Sequence, residues 1–223
     1  MKNIIQIAGI RNLTEAQMLT HAGTTHIGIP LRLDVHDEDI SEKQASRIIS
    51  HLPPAVTPVL ITYLHRTNDI LELSHKIGVN WVQLHGDIST EEMENVKRFD
   101  PTITIIKSLI VHQNNQEELL TAVDQLTSVV DYFITDTYDP ETGATGATGK
   151  THDWSISQKI VEFSQKPVIL AGGLNPNNVQ KAIQVVRPNG VDCHSGVEKR
   201  QGFKDPQLVK KFVEMAQLGF SKI

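Results

Sequence analysis

The sequence predicts an α/β chain folded as a (β/α)8 barrel. Three observations carry that reading. Short β-type runs alternate with helix-period segments from end to end, the count comes to eight strand–helix units, and no linker-like or low-complexity stretch divides the chain. Such alternation implies a parallel sheet with helices outside it. Eight units point to a closed barrel, although an open doubly wound sheet has the same alternation. The 223 residues then form one domain, 1–223, a length common for such barrels.

The β-type runs fall at 4–7, 25–29, 57–61, 81–84, 102–107, 132–135, 168–171 and 191–193. Between them lie amphipathic stripes. Ala45, Ile48, Ile49 and Leu52 keep the i, i+3, i+4, i+7 spacing of one helix face. Ile70, Leu73, Ser74 and Ile77 repeat it with one serine, as do Val179, Ala182, Ile183 and Val186. Leu208, Val209, Phe212 and Val213 close the chain on a similar stripe. Ser41-Glu42-Lys43-Gln44 and Ser89-Thr90-Glu91-Glu92 read as capping boxes. Asn175-Pro176 and Asp205-Pro206 each set a capping side chain before a proline at the first helical position.

Composition narrows the function classes. A net charge of -5 argues against general nucleic-acid binding, which needs a basic face. The lone cysteine, Cys193, excludes an internal disulfide and fits a reducing compartment. No signal peptide is read at the N-terminus, and no apolar stretch approaches the ~20 residues that span a bilayer. The expectation is a cytoplasmic protein without membrane or nucleic-acid partners, its oligomeric state unread.

In a barrel the functional groups sit where strands end and βα loops begin. Those residues are Ala8-Gly9, 30–34, Thr62-Tyr63, His85-Gly86-Asp87, Ser108, Asp136, Gly172-Gly173 and His194-Ser195-Gly196. The last two loops are rich in glycine, which lets amide N–H groups approach an anion without Cβ obstruction. Barrels commonly hold a substrate phosphate there; two tight turns would use the same glycines. Asp136 follows strand six and either exchanges a proton at the barrel mouth or caps its loop. The segment 143–151 imitates a nucleotide-binding P-loop but has Ala144 where the first glycine belongs, so it reads as a loop over the mouth or a plain surface loop. The cluster His36-Asp37-Glu38-Asp39 reads as a solvated acidic loop before a metal site, and His85, His152 and His194 as hydrogen-bonded histidines before ligands.

Taken together, Gln83-Leu84-His85-Gly86-Asp87, Asp136, the run 146–154, the run 171–179, Gly190-Val191-Asp192, Ser195-Gly196-Val197-Glu198 and Gly202-Phe203-Lys204-Asp205 resemble the phosphoribosylanthranilate isomerase family of tryptophan biosynthesis. They follow the family's order over nearly the whole chain. The resemblance implies a TIM barrel and an Amadori rearrangement of a phosphoribosylamine, with no cofactor and no metal. An aspartic acid protonates the ring oxygen, a cysteine removes the proton on C2, and the enolamine collapses to a 1-amino-ketose. By that resemblance Asp136 is the general acid, Gly172, Gly173, Ser195 and Gly196 bind the phosphate, and Asp192 approaches the substrate.

Two departures stand out. The family's cysteine position holds Ala8, whose methyl group cannot exchange a proton. The family's carboxylate-gripping arginine falls on Asp37 or Glu38, with Arg32 upstream as a substitute. If Asp192 and His194 point into the barrel, alternation turns Cys193 outward. His194, with an unperturbed pKa of ~6.5, is then the candidate for a relocated base. Three readings follow: an isomerase (an intramolecular oxidoreductase) acting on a phosphosugar, a non-catalytic phosphosugar-binding paralogue lacking its general base, and a metal-assisted epimerase.

Overall fold

The structure is a computed structural model that describes residues 3–33, 38–112, 114–137, 153–199 and 202–223. Eight strands form the barrel: β1 (Ile4–Ala8), β2 (His26–Pro30), β3 (Thr57–Thr62), β4 (Trp81–Leu84), β5 (Thr104–Val111), β6 (Tyr132–Thr137), β7 (Val168–Leu170) and β8 (Gly190–Cys193). Eight helices alternate with them: α1 (Leu13–Ala22), α2 (Glu42–Ile49), α3 (Thr67–Ile77), α4 (Thr90–Phe99), α5 (Gln116–Leu126), α6 (Trp154–Phe163), α7 (Val179–Val186) and α8 (Pro206–Phe220). Each strand pairs in parallel with the next, and β8 closes on β1. The predicted closed barrel is therefore the fold. No helix among the described residues is long and apolar enough to cross a membrane.

Strand alternation divides the side chains between two cores. Outward residues such as Ile5, Ile7, Ile27, Leu60, Val82, Ile105, Phe133 and Val191 pack under the helices. Inward, Ile4, Val59, Ile106, Ile134, Ile169 and Ala171 form a separate apolar plug, with Trp81 and Tyr132 against it. The next inward positions toward the strands' carboxyl ends are polar: Gln6, Gln83, Ser108, Asp136 and Asp192 are all buried. The barrel is thus sealed below and lined with hydrogen-bonding groups above.

The helix stripes lie where periodicity placed them. Val179, Ala182, Ile183 and Val186 are all buried, and Ser74 satisfies its buried hydroxyl by donating to the Ile70 carbonyl at 2.7 Å. Ser41 and Gln44 close a reciprocal capping box, and Asp205 accepts from the amides of Gln207 and Leu208. Two capping expectations are corrected. Ser89 accepts from the Glu92 amide, but the Glu92 carboxylate turns to the amide and hydroxyl of Thr67, tying α4 to α3. Asn175 caps a turn, not a helix: it accepts from the Asn177 amide, and α7 starts only at Val179. Strand β5 also runs beyond Lys107 to Val111, because Leu109 and Val111 continue the buried alternation and pair with β6.

The two ends of the chain are joined above the β1–β8 seam. The buried carboxylate of Glu15 on α1 accepts from the Arg11 amide at 2.8 Å and from the Lys204 amide at 3.1 Å. One side chain thereby satisfies backbone donors in the first and last βα loops. Leaving a buried donor unpaired costs about 1–3 kcal/mol. Glu15→Ala is expected to lower unfolding free energy by about 2–4 kcal/mol with an unchanged denaturant m-value, as read from urea melts.

Candidate active site

The polar inward residues form a connected band across the barrel mouth. Gln6 Nε2 donates to Gln83 Oε1 at 3.1 Å, and Gln83 Nε2 lies 3.5 Å from Ser108 Oγ. Ser108 Oγ meets His85 Nδ1 at 3.1 Å, and the Tyr63 ring leans on the His85 ring with centroids 5.0 Å apart. Above this band opens a cavity lined by Ala8, Pro30, Leu33, Ile61, Tyr63, Gln83, His85, Asp136, Asp192 and the segments 172–174 and 193–196. One wall, from Pro30, Leu33, Ile61 and Tyr63, is apolar and aromatic; the opposite wall carries the carboxyls and glycine loops.

Both carboxyls in the cavity resist ionisation. Burial pushes the Asp136 carboxyl up to about 7, against the Thr137 amide that donates to it at 2.8 Å, and the neighbouring Asp192 pushes it further up. Burial also raises Asp192 to about 6, opposed by Gln6 and by the ammonium of Lys204. An acid that keeps its proton near neutrality can donate one to a substrate oxygen. Among the described residues, Gln6 Oε1 and Asp192 Oδ1 are buried without a hydrogen-bond partner. Of these two, Asp192 belongs to the cavity lining, where a ligand donor can reach its oxygen.

At the end of β1 the methyl of Ala8 faces the cavity, and Gly9 follows with φ +76. A Cβ on Gly9 would lie 2.1 Å from His194 Nε2, so the imidazole occupies the space beside Gly9 that any other residue would fill. His194 therefore leans from β8 across to the residue that follows Ala8. Its Nε2 also lies 3.4 Å from Glu198 Oε1. Cys193 points the other way: its thiol donates to the Leu174 carbonyl at 3.1 Å, and burial pushes it well up from its ordinary range. It sits in the outer core and cannot serve the cavity as a thiolate.

The glycine loops after β7 and β8 lie against one another. A Cβ on Gly196 would stand 1.9 Å from the Leu174 carbonyl oxygen, so only glycine allows this approach. Gly172 and Gly173 take φ +93 and +62, conformations that favour glycine. The amides of Gly172, Gly173 and Ser195 donate to no carbonyl among the described residues and border the cavity. Converging amides of this kind can receive an anion.

Of the residues singled out from sequence, Asp136, Asp192, His194, Gly172, Gly173, Ser195 and Gly196 come together around one cavity. Arg32 does not. Its Nε donates to Glu42 of α2 at 2.9 Å and its amide to Glu38 at 2.5 Å, so its charge is held at the loop's outer side. No arginine or lysine lines the cavity among the described residues. His36, Asp37, His152 and the segment 143–151 lie outside the described residues; among those described, no three His, Cys, Asp or Glu converge as a metal site. Sequence reasoning missed Gln6; it placed Tyr63 at a strand end and Gln83, Glu198 and Lys204 in the family-like stretches but gave none of them a role. Inward alternation from Ala8 and His85 reaches both glutamines; the others depend on loop geometry.

A family model described as N-(5'-phosphoribosyl)anthranilate (PRA) isomerase matches residues 5–215. The N-(5'-phosphoribosyl)anthranilate isomerase 2 of Methanosarcina mazei is 40% identical over 220 residues, covering 98% of this chain and 96% of that one. The crystal structure of phosphoribosyl anthranilate isomerase from Thermotoga maritima superposes with a TM-score of 0.82 at 32% identity, covering 97% of this chain and 99% of that one. A phosphoribosyl anthranilate isomerase solved in complex with reduced 1-(o-carboxyphenylamino)-1-deoxyribulose 5-phosphate superposes with a TM-score of 0.80 at 30% identity, with the same coverage.

The raised Asp136 carboxyl has a consequence for stability. Its proton is held more tightly in the folded chain than in the unfolded one. Its contribution is therefore complete below about pH 4 and is lost as pH rises through about 7. Asp136→Asn is expected to raise stability at pH 8 by on the order of 2 kcal/mol, with little change at pH 4. Thermal melts at both pH values check this.

Proposed function

Since this chain belongs to the N-(5'-phosphoribosyl)anthranilate isomerase family, we propose that its cavity performs the Amadori isomerisation of a phosphoribosylamine, the tryptophan-pathway reaction. The observation that carries the proposal is the placing of Asp136, whose carboxyl burial pushes up to about 7, and of His194 around one cavity bordered by amides that donate to no carbonyl among the described residues. The amides of Gly172, Gly173 and Ser195 receive the substrate phosphate, and Gly196 lets the two loops meet around it. Asp192 Oδ1 accepts from a sugar hydroxyl, which supplies the partner that this buried atom lacks. The apolar wall of Pro30, Leu33, Ile61 and Tyr63 takes the aryl group.

Asp136 gives its proton to the furanose ring oxygen. The C1–O bond breaks, and the nitrogen lone pair forms a C1=N iminium. His194 then takes the C2 proton. The C2–H electron pair becomes the C1–C2 double bond, and the iminium π pair returns to nitrogen. The enolamine gains a proton at C1 and loses its O2 proton to give the 1-amino-ketose. In this scheme the imidazole just after β8 takes the place of the thiol that Ala8 cannot supply.

Complementation of a tryptophan auxotroph lacking the isomerase tests the proposal directly; failure of the soluble, folded protein to restore growth counts against it. Asp136→Asn and His194→Ala are each expected to lower kcat about 10²–10⁴-fold, measured with purified protein. An unchanged rate in either variant removes that residue from the mechanism. Gly196→Ala is expected to push the two glycine loops apart. It should cost about 1–3 kcal/mol and abolish the thermal shift that inorganic phosphate gives the parent protein.

A further inference from the structure

We infer that Lys107, on the outer face of β5, is a positioning residue for the aryl-binding wall of the cavity: its ammonium clips the loop after β4 against Tyr63. The inference rests on the isomerase reading for the identity of the aryl group. It adds a residue that lies outside the cavity lining and outside the barrel.

Ile106 and Ser108 face the barrel interior, so alternation turns Lys107 outward. Register sets it opposite Leu84, the last residue of β4. There β4 stops while β5 runs on to Val111, and the lysine side chain bridges the step. Its Nζ donates to the carbonyls of Gly86 at 3.0 Å, Ser108 at 3.2 Å and Leu84 at 3.4 Å. Those carbonyls match the three N–H bonds of an ammonium. Burial pulls the group down to about 8, against the charge of Asp87, so it is protonated at neutral pH. The Gly86 carbonyl accepts from no backbone amide among the described residues; the ammonium is what holds it.

On its other side Gly86 lies against Tyr63. A Cβ on Gly86 would stand 3.1 Å from the Tyr63 carbonyl oxygen and 3.2 Å from its ring Cδ1. His85, the residue before, donates its amide to the Thr62 carbonyl at 2.9 Å and sets its ring against that of Tyr63. The dipeptide His85-Gly86 is therefore a wedge between the loop after β3 and the outer edge of β5. The His85 amide fixes the near end of the wedge, and Lys107 fixes the far end. A neutral, apolar side chain at 107 leaves the Gly86 carbonyl to turn toward water, and the face on which Tyr63 rests moves with it. The carboxyls and the glycine loops stand on the opposite wall, away from this clip.

The test is a double-mutant cycle on turnover of the phosphoribosylamine by the parent, Lys107→Met, Tyr63→Ala and the double variant. Lys107→Met is expected to raise KM about 10–100-fold with kcat within about threefold, because a displaced wall loses binding shared by substrate and transition state. In the Tyr63→Ala background the same substitution is expected to change KM by less than about threefold. The thermal shift given by inorganic phosphate is expected to survive in Lys107→Met, since the glycine loops lie opposite. Partial unfolding lowers the amount of active enzyme, and so kcat, but leaves KM in place. That pattern, an unchanged KM, an equal rise in both backgrounds, or loss of the phosphate shift overturns the inference. Should the folded parent not turn over the substrate, the isomerase reading fails, and the cycle is read on the Kd of free anthranilate, followed by its own fluorescence. There an equal Kd for the parent and Lys107→Met, or no binding by the parent, removes the positioning role as well. Should Lys107→Met not fold, Lys107→Gln, which keeps an N–H donor without the charge, takes its place in the same cycle.

Discussion

A closed parallel barrel gives its inward side chains two destinations: into one another or into the mouth. That constraint organises this protein. At the lower level Ile4, Val59, Ile106, Ile134 and Ile169 meet and exclude water. One step along the strands the inward positions become Gln6, Gln83, Ser108, Asp136 and Asp192, all buried and mostly hydrogen-bonded to one another. The apolar plug lowers the polarity beneath the carboxyls, and burial is the largest cause of the raised values of both Asp136 and Asp192. The element that stabilises the barrel is also the one that keeps an acid protonated near pH 7.

The loops above obey a second constraint, the need to satisfy charges removed from water. Lys204 and Glu15 are both buried, and each is answered by groups from distant parts of the chain. Their bonds fix the loop after β8 in relation to the loop after β1. Rigid placement matters here because the cavity's polar groups come from five different strands or the loops that follow them. A site assembled in this way works only if the supporting bonds leave little freedom.

Much of this was legible in the chain. The eight alternating units, the stripes on α2, α3, α7 and α8, and the Asp205 cap follow from periodicity and local hydrogen-bonding chemistry. So do Asp136 and the glycine loops, because strand ends in a barrel converge; Asp192 comes from the family resemblance alone. The failures were tertiary. Glu92 completes a capping box by sequence, yet the neighbouring helix offers Thr67, with two donors, and wins. Arg32 has the right charge near the right loop, yet Glu42 lies closer to it than any cavity does. Glu198 and Lys204 stand in the family-like stretches, but that they pair, and that the ammonium is buried, only packing reveals.

The seam between β1 and β8 joins the first and last strands to be made. Glu15 waits for an amide 189 positions downstream before its carboxylate is satisfied. During synthesis, then, most of the wall can form while the chain still lacks β8, but the cavity cannot. The mouth stays open on one side until the final tenth of the polypeptide leaves the ribosome. Contacts this remote in sequence slow folding, and without β8 both β1 and β7 would be edges and the cavity would lack Asp192 and the loop that follows it.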